Sequence, residues 1–265
     1  MIGPAGRWCA SPGSREHYVH HFCALLAQRY LMQIHNAVVL VTGANRGLGL
    51  ELSKHALERG AKRVYACARD VSSITLEGVV PVQLDVTKPG DAVALAARLT
   101  DVTILINNAG IARPGAFVAS TAQDTLREQM ETNVFGILNL SQAFAPVLAS
   151  NGGGAILNVL SLLSWVNTPM IAAYGVSKAA AWGLTNGLRH ELRAQKTQVV
   201  GLHAAFIDTD LSRGINVPKA TPADVAGQAF DAIEADAEEV LVDESSRQVH
   251  KGLSSSIYLR DVIAG

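Results

Sequence analysis

A doubly wound parallel α/β domain is the fold this sequence predicts, and three observations predict it. Seven short apolar runs are bounded by turn residues, helical patterns lie between them, and a glycine-rich loop joins the first run to the first helical pattern. Short continuous apolar runs read as strands buried on both faces. Strands alternating with helices imply a parallel sheet covered on both sides, and right-handed crossovers wind it in two directions from its centre. The 265 residues, 49% of them hydrophobic, are enough for one domain with a full core. No internal repeat, low-complexity tract or second domain is evident.

Residues 1–35 differ from the remainder and read as an N-terminal extension that is non-essential or poorly ordered, ahead of a domain over residues 36–265. The extension holds His17, His20, His21 and His35, together with Cys9 and Cys23. Phe22 to Ile34 fits a short amphipathic helix. Gln28 and Arg29 break its apolar part and no small-residue cleavage site follows, which argues against a signal peptide. Arg7, Arg15 and Arg29 with few acids leave a faint transit-peptide reading, and the histidines match no usual metal-ligand spacing. No metal site is expected. Met32 stands just before the first strand, so the functional chain is expected to begin there, with residues 1–31 dispensable.

The strands are expected at Ala37–Thr42, Arg63–Ala68, Val79–Leu84, Val102–Ile106, Ala155–Leu160, Val199–Ala204 and Val240–Val242. Helical periodicity covers Gly47–Arg59, Asp91–Leu99, Thr121–Leu148, Tyr174–Gln195 and Pro222–Ala235. Asn151-Gly-Gly-Gly154 ends the long helix before a strand. The net charge of -1 gives no case for a nucleic-acid partner. The three cysteines include no Cys-x-x-Cys pair, so a reducing compartment, and with it a cytoplasmic location, is the simplest expectation. No run of about 18 apolar residues is present, and no membrane partner is expected.

The chemistry centres on Tyr174-Gly-Val-Ser-Lys178. Residues four apart on a helix share one face. Tyrosine alone is a poor acid or base at neutral pH, with a reference pKa of about 10, and a neighbouring ammonium favours its phenolate. The pair alone fits a core tyrosine beside a solvated lysine better than a catalytic pair. The cofactor end gives it context. Thr42-Gly-Ala-Asn-Arg-Gly-Leu-Gly49 follows the first strand and opens a helix. Its glycines permit a tight turn and close approach of the backbone to a pyrophosphate, which then faces the free N–H groups of the helix N-terminus. The spacing is Gly-x-x-x-Gly-x-Gly, distinct from the Gly-x-Gly-x-x-Gly dinucleotide fingerprint.

Taken together, these residues resemble the classical short-chain dehydrogenases/reductases, over about residues 37 to 245. The family's glycine loop matches Thr42 to Gly49, its Asn-Asn-Ala-Gly matches Asn107-Asn108-Ala109-Gly110, and its helix asparagine matches Asn133. Its serine, thirteen residues before the tyrosine, falls on Ser161, and its Tyr-x-x-x-Lys is Tyr174 and Lys178. The resemblance implies a Rossmann fold and hydride transfer between a nicotinamide cofactor and a carbonyl or secondary alcohol. It implies Asn133, Ser161, Tyr174 and Lys178 as the catalytic set, with Tyr174 as proton donor or acceptor. Ser161 would orient and polarise the carbonyl; Ser164 is a lesser candidate for that role. Asn133 would hold the helix and a water linking Lys178 to solvent. The implied cofactor contacts are Gly43, Asn45, Arg46, Gly47, Leu48, Gly49, Arg69, Asp85, Val86, Asn107, Ala109, Gly110, Tyr174, Lys178, Ile207 and Thr209.

Cofactor choice has a physical handle. An acid at the end of the second strand binds the ribose 2′-OH of NAD. Here Ala68 takes that place, Arg69 follows, and Arg46 lies in the glycine loop. Two guanidiniums suit a 2′-phosphate, so NADP(H) is expected, with NAD(H) left open through Asp70. After the sixth strand Ala204-Ala205 replaces the family's Pro-Gly, and an alanine there is strained if its φ is positive. His203 reads as structural. Leu162, Leu163, Trp165, Val166, Met170 and Ile171 either line an apolar pocket or pack beneath it. The short segment Leu211–Thr221 corresponds to the family's substrate lid. A small to medium apolar ketone, aldehyde or alcohol is the expected substrate; a 3-oxoacyl thioester is the enzymatic alternative, and a catalytically silent NADP-binding regulator the alternative of another class. The resemblance also implies a homodimer or homotetramer through Thr121–Leu148 and Tyr174–Gln195.

Overall fold

Seven parallel strands form one sheet. They are β1 (Val38–Thr42), β2 (Arg63–Ala68), β3 (Val80–Gln83), β4 (Ile104–Asn107), β5 (Gly154–Val159), β6 (Thr197–His203) and β7 (Glu239–Leu241), in the spatial order β3-β2-β1-β4-β5-β6-β7. In this computed structural model the described residues are 32–260. The expectations for His17, His20, His21, Cys9 and Cys23, and for the helix as far as Leu31, lie outside them; residues 32–34 are not helical. The core, however, begins before residue 36. Ile34 is fully buried, and its N–H donates to Glu234 Oε1 at 3.1 Å.

The central strands β1, β4 and β5 are apolar and buried on both sides, as a sheet covered on both faces requires, while the edge strands β3 and β7 are partly exposed. Successive side chains nevertheless alternate between two cores. Val39, Val41, Ile104, Ile106, Ala155 and Leu157 enter one, while Val38, Leu40, Leu105 and Ile156 enter the other. The first core is closed by α1 (Gly47–Glu58) and α6 (Pro222–Glu234), through Leu48, Leu52, Val225 and Phe230. The second is closed by α2 (Pro89–Arg98), α4 (Gly136–Ser150) and α5 (Ala172–Leu192), through Leu95, Ile137, Phe144 and Leu188.

The long helix expected over Thr121–Leu148 is not uniform. It comprises α3 (Ala122–Met130), a π-helical turn over Glu131–Phe135, and α4. A further helix, α7 (Glu244–Gly252), follows β7 and is absent from the expected elements. Its composition is polar, so it shows little apolar periodicity. Its sequence signal is the N-cap Asp243, whose carboxylate accepts from Ser246 N–H at 2.8 Å. Val249 on this helix joins Leu162, Leu163, Trp165 and Val166 in a third, smaller core under the loop that follows β5.

Sheet order reverses between β1 and β4. Crossovers leave in opposite directions there, and a crevice opens beyond the carboxyl ends of the strands.

Candidate active site

That crevice is a cavity of about 1630 Å³. The loops after β1 and β4 form its floor. Thr42 Oγ1 accepts from the N–H groups of Asn108 and Ala109, both at 2.9 Å, and Asn108 Nδ2 donates to the carbonyl oxygens of Thr42 at 2.8 Å and Gly43 at 3.2 Å. Gly43 and Gly47 have φ of +62° and +55°, a conformation that favours glycine. A Cβ at Gly49 would stand 2.1 Å from Gly43 O, so only glycine lets α1 start this close to the strand. These features fit a dinucleotide: a backbone cradle that side chains would fill, opening on a helix N-terminus.

Of the expected cofactor contacts, Gly43, Asn45, Arg46, Gly47, Leu48, Arg69, Asp85, Val86, Ala109, Gly110, Tyr174, Lys178, Ile207 and Thr209 line the cavity. Asn107 and Gly49 do not. Asn107 is the last residue of β4 and donates from Nδ2 to Asn158 Oδ1 at 2.8 Å in the interior. The asparagine facing the cleft is its neighbour Asn108, because side chains alternate along a strand. Gly49 acts through packing. Thr42, whose hydroxyl ties the two loops together, was missed, although it stands in the motif itself.

At the adenosine end Asp70 is engaged locally: its Oδ1 accepts from Ser72 N–H at 3.0 Å and Ser72 Oγ at 2.7 Å. Asp85 makes a similar turn, accepting from Thr87 N–H at 3.1 Å and Thr87 Oγ1 at 2.7 Å. Burial raises the Asp85 carboxyl, but the Thr87 bonds and the charges of Lys88 and Arg69 together outweigh it and hold the group below its ordinary pKa. Arg46 does not point freely toward the ribose. Its Nη1 meets Asp210 Oδ2 at 3.0 Å across the cleft, and Arg213 pairs with the other oxygen of the same carboxylate.

The catalytic candidates converge on the opposite wall. Ser161 follows β5 and caps a 3-10 turn over Leu162–Ser164: its Oγ accepts from Leu163 N–H at 3.1 Å, and Ser164 Oγ accepts from Ser161 N–H at 3.3 Å. Ser164 therefore shapes the turn that presents Ser161. Tyr174 and Lys178 lie one turn apart on α5, with Lys178 Nζ 5.6 Å from the Tyr174 ring centroid. Nζ donates to Val159 O at 2.7 Å. Asn133, inside the π turn, donates from Nδ2 to Ile111 O and to Ser177 Oγ, both at 2.9 Å, and accepts from Ile111 N–H at 2.9 Å. Ser177 Oγ donates to Tyr174 O at 2.8 Å. Asn133 thus joins the loop after β4 to the first turns of α5.

The electrostatics depart from the simple Tyr–Lys expectation. Burial pushes the Tyr174 phenol up to about 12, and a hydrogen bond with Ser161 opposes this. Burial pulls the Lys178 ammonium down to about 8. Desolvation is the dominant influence on both groups here.

Toward the mouth, Leu162, Leu163, Met170 and Ile171 line the cavity, joined by Leu211, Ile215 and Val217. Trp165 and Val166 instead pack in the third core. Ala205 has no positive φ, so Ala204-Ala205 introduces no strain. Its N–H donates to Asp243 Oδ2 at 2.7 Å, which anchors this edge of the site to the start of α7.

The family model described as "short chain dehydrogenase" matches residues 37–220. A dehydrogenase/reductase SDR family member 7B from Mus musculus is 30% identical over 88% of this chain and 79% of its own length. The 3-oxoacyl-(acyl-carrier-protein) reductase FabG of Vibrio cholerae is 30% identical over 70% of this chain and 79% of its own. A crystal structure of a short chain dehydrogenase from Burkholderia cenocepacia in complex with NADP superposes with a TM-score of 0.81 at 40% identity, covering 85% of this chain and 95% of that one.

Proposed function

The chain belongs to the short-chain dehydrogenase family, and from that premise we propose that it transfers a hydride between NADP(H) and the carbonyl or secondary alcohol of a small to medium apolar substrate. One observation carries the reading: Ser161, Tyr174 and Lys178 share a wall of the cavity whose floor is the glycine cradle. A bound nicotinamide supplies or accepts the hydride. The protein's residues manage the proton and the geometry. Tyr174, kept protonated by burial, holds the proton that a developing alkoxide takes up. The Ser161 hydroxyl, fixed by its turn, orients the carbonyl and donates to its oxygen. Lys178, its pKa pulled down to about 8, supplies positive charge close to Tyr174 and can replace its proton. Asn133 holds α5 against the loop after β4, which keeps these groups in register.

NADP(H) is favoured over NAD(H) by Arg69 at the adenosine end of the cavity, by Arg46 once it exchanges Asp210 for a 2′-phosphate, and by the occupied Asp70 carboxylate. The relative from Burkholderia cenocepacia, solved with NADP, supports the same preference. The apolar lining from Met170 to Val217 supports an apolar substrate. A 3-oxoacyl thioester reductase is the second reading, favoured by the likeness to the Vibrio cholerae enzyme. Self-association through α4 and α5 belongs to the same proposal, and light scattering that finds a monomer refutes it. Among the described residues, no helix is long and apolar enough to cross a membrane.

The test is oxidation of NADPH, with NADH in parallel, against ketones, aldehydes, quinones and acyl thioesters. Turnover that Tyr174→Phe abolishes supports the reading. Tight NADPH binding with no turnover on any member refutes it in favour of a binding role.

A further inference from the structure

Behind Ser161 lies a buried polar cluster that the mechanism above does not use. His203, the last residue of β6, has no exposed surface. Its ring stacks on Trp165, with centroids 3.9 Å apart and planes 15° from parallel. Its Nδ1 lies 3.0 Å from Ser161 O. On the other side Nε2 has no hydrogen-bond partner among the described residues and stands 3.9 Å from Glu239 Oε1. That carboxylate oxygen accepts from Trp182 Nε1 at 3.0 Å, and the other oxygen lies 3.6 Å from His250 Nε2.

We propose that His203 is a positioning residue for the Ser161 hydroxyl, its Nδ1–H holding the Ser161 main chain while Trp165 and Glu239 hold the ring. The inference rests on the dehydrogenase reading of the site. A carbonyl oxygen cannot donate, so the Ser161 contact requires the proton on Nδ1. The bond is not needed to satisfy that carbonyl, which already accepts from Ser164 N–H at 3.0 Å. An apolar ring would stack on Trp165 equally well and would avoid a buried, unpaired Nε2. What the imidazole adds is a constraint. The β5–β6 ladder continues on both sides of Ser161, with Leu160 N–H donating to Leu202 O at 2.8 Å and Leu162 N–H to Ala204 O at 2.9 Å. His203 pins the residue between those two rungs. Three charged or titratable groups from three elements bear on the ring: Glu239 of β7, His250 of α7 and Lys178 of α5. Burial outweighs them and keeps the imidazole neutral, pulled down to about 4, so the bond is present throughout the neutral range.

Three measurements test this. His203→Phe keeps a ring on Trp165 but cannot donate, whereas His203→Asn can place an amide N–H where Nδ1 stands. The expected result is a kcat lowered roughly ten- to hundredfold in His203→Phe, with KM and the NADPH dissociation constant unchanged, and recovery of most of that loss in His203→Asn. Unchanged kcat in His203→Phe, equal losses in both variants, or losses matched by weaker NADPH binding each overturn the proposal. Histidine ¹⁵N chemical shifts of the wild type decide the bond without a variant: a protonated Nδ1 with a bare Nε2 supports it, and the opposite tautomer overturns it. The shifts are read whether or not the enzyme turns over, and wild-type turnover beside Tyr174→Phe tests the dehydrogenase reading separately.

Discussion

Lys178 carries a buried charge that its surroundings disfavour, and Lys178→Met exposes the cost. The side chain is 4% exposed and donates one bond, at 2.7 Å, to Val159 O. Burial lowers its pKa from 10.5 to about 8, so at neutral pH the folded protein holds an ammonium that its surroundings disfavour. At about 1.4 kcal/mol per pKa unit, that shift corresponds to roughly 3 kcal/mol of instability. Methionine removes the charge and keeps most of the volume, but leaves Val159 O without this donor, a loss of about 1–3 kcal/mol. The two effects nearly cancel at neutral pH, so a single melting temperature decides nothing. The pH dependence does. The folded-state pKa is depressed, so the unfolded chain binds more protons between about pH 8 and 10.5, and the wild type gains stability as pH rises through that window. Denaturant titrations at about pH 7.5 and pH 10 should show wild type gaining about 2 kcal/mol relative to the variant. Cys67 and Tyr174, both pushed up by burial, oppose the gain at alkaline pH but do so in both proteins, so the difference isolates Lys178. A parallel pH dependence in the two proteins refutes the reasoning.

Tyr174→Phe should lower kcat by roughly a hundred- to ten-thousandfold and leave NADPH binding, followed by fluorescence, intact; near-normal turnover excludes Tyr174 as the proton donor. Gly49→Ala drives a Cβ to within 2.1 Å of Gly43 O and 2.6 Å of Asn108 Nδ2, so the glycine loop must move. The expected cost is about 1–3 kcal/mol, seen as a lower Tm with weaker NADPH binding, and a variant unchanged in both counts against the cradle. Replacing Arg46 and Arg69 with serine should shift the NADPH-to-NADH preference by roughly tenfold toward NADH, a modest figure because both groups face solvent. Wild-type preference for NADH sinks the NADP(H) assignment. Alcohol oxidation needs the Tyr174 phenolate, whose pKa is pushed up to about 12, so its rate should climb steadily with pH across the alkaline range. A plateau near neutrality means that some other group takes the proton.

The strands were legible because each is a short, continuous apolar run, and the observed register places those runs side by side within a residue or two of their expected limits. The convergence of the catalytic candidates on one wall follows from local spacing: Tyr174 and Lys178 share a helix, and Ser161 lies on the turn that leads to it. What pairing across the sheet decides was not legible. Asn107 and Asn108 are chemically the same in a sequence, and only the strand's alternation sends one inward to Asn158 and the other to the cleft. Arg46 reads as a phosphate ligand, yet its partner Asp210 lies 164 residues away. The helix after β7 was missed because it presents Val249 alone to the core beneath Ser161, too little for an apolar period. The inversion of the Tyr174 expectation has the same origin: a neighbouring charge can be read from spacing, but desolvation depends on everything packed around the pair.

The π turn at Glu131–Phe135 bears on ancestry. A π turn adds one residue to a helix that would otherwise run on in the regular register, so it behaves as a tolerated insertion. Asn133 sits in the widened turn, fully buried, and bonds Ile111 and Ser177 from there. Deleting a single residue such as Thr132 would restore an unbroken α-helix from α3 into α4. It would also turn one half about 100° against the other, carrying Asn133 away from α5 or the apolar stripe of α4 away from the sheet. The shorter chain would have the more regular helix but would lose the Asn133 bridge between the loop after β4 and α5. This is the pattern left when an inserted residue is retained for the side chain it brings into place.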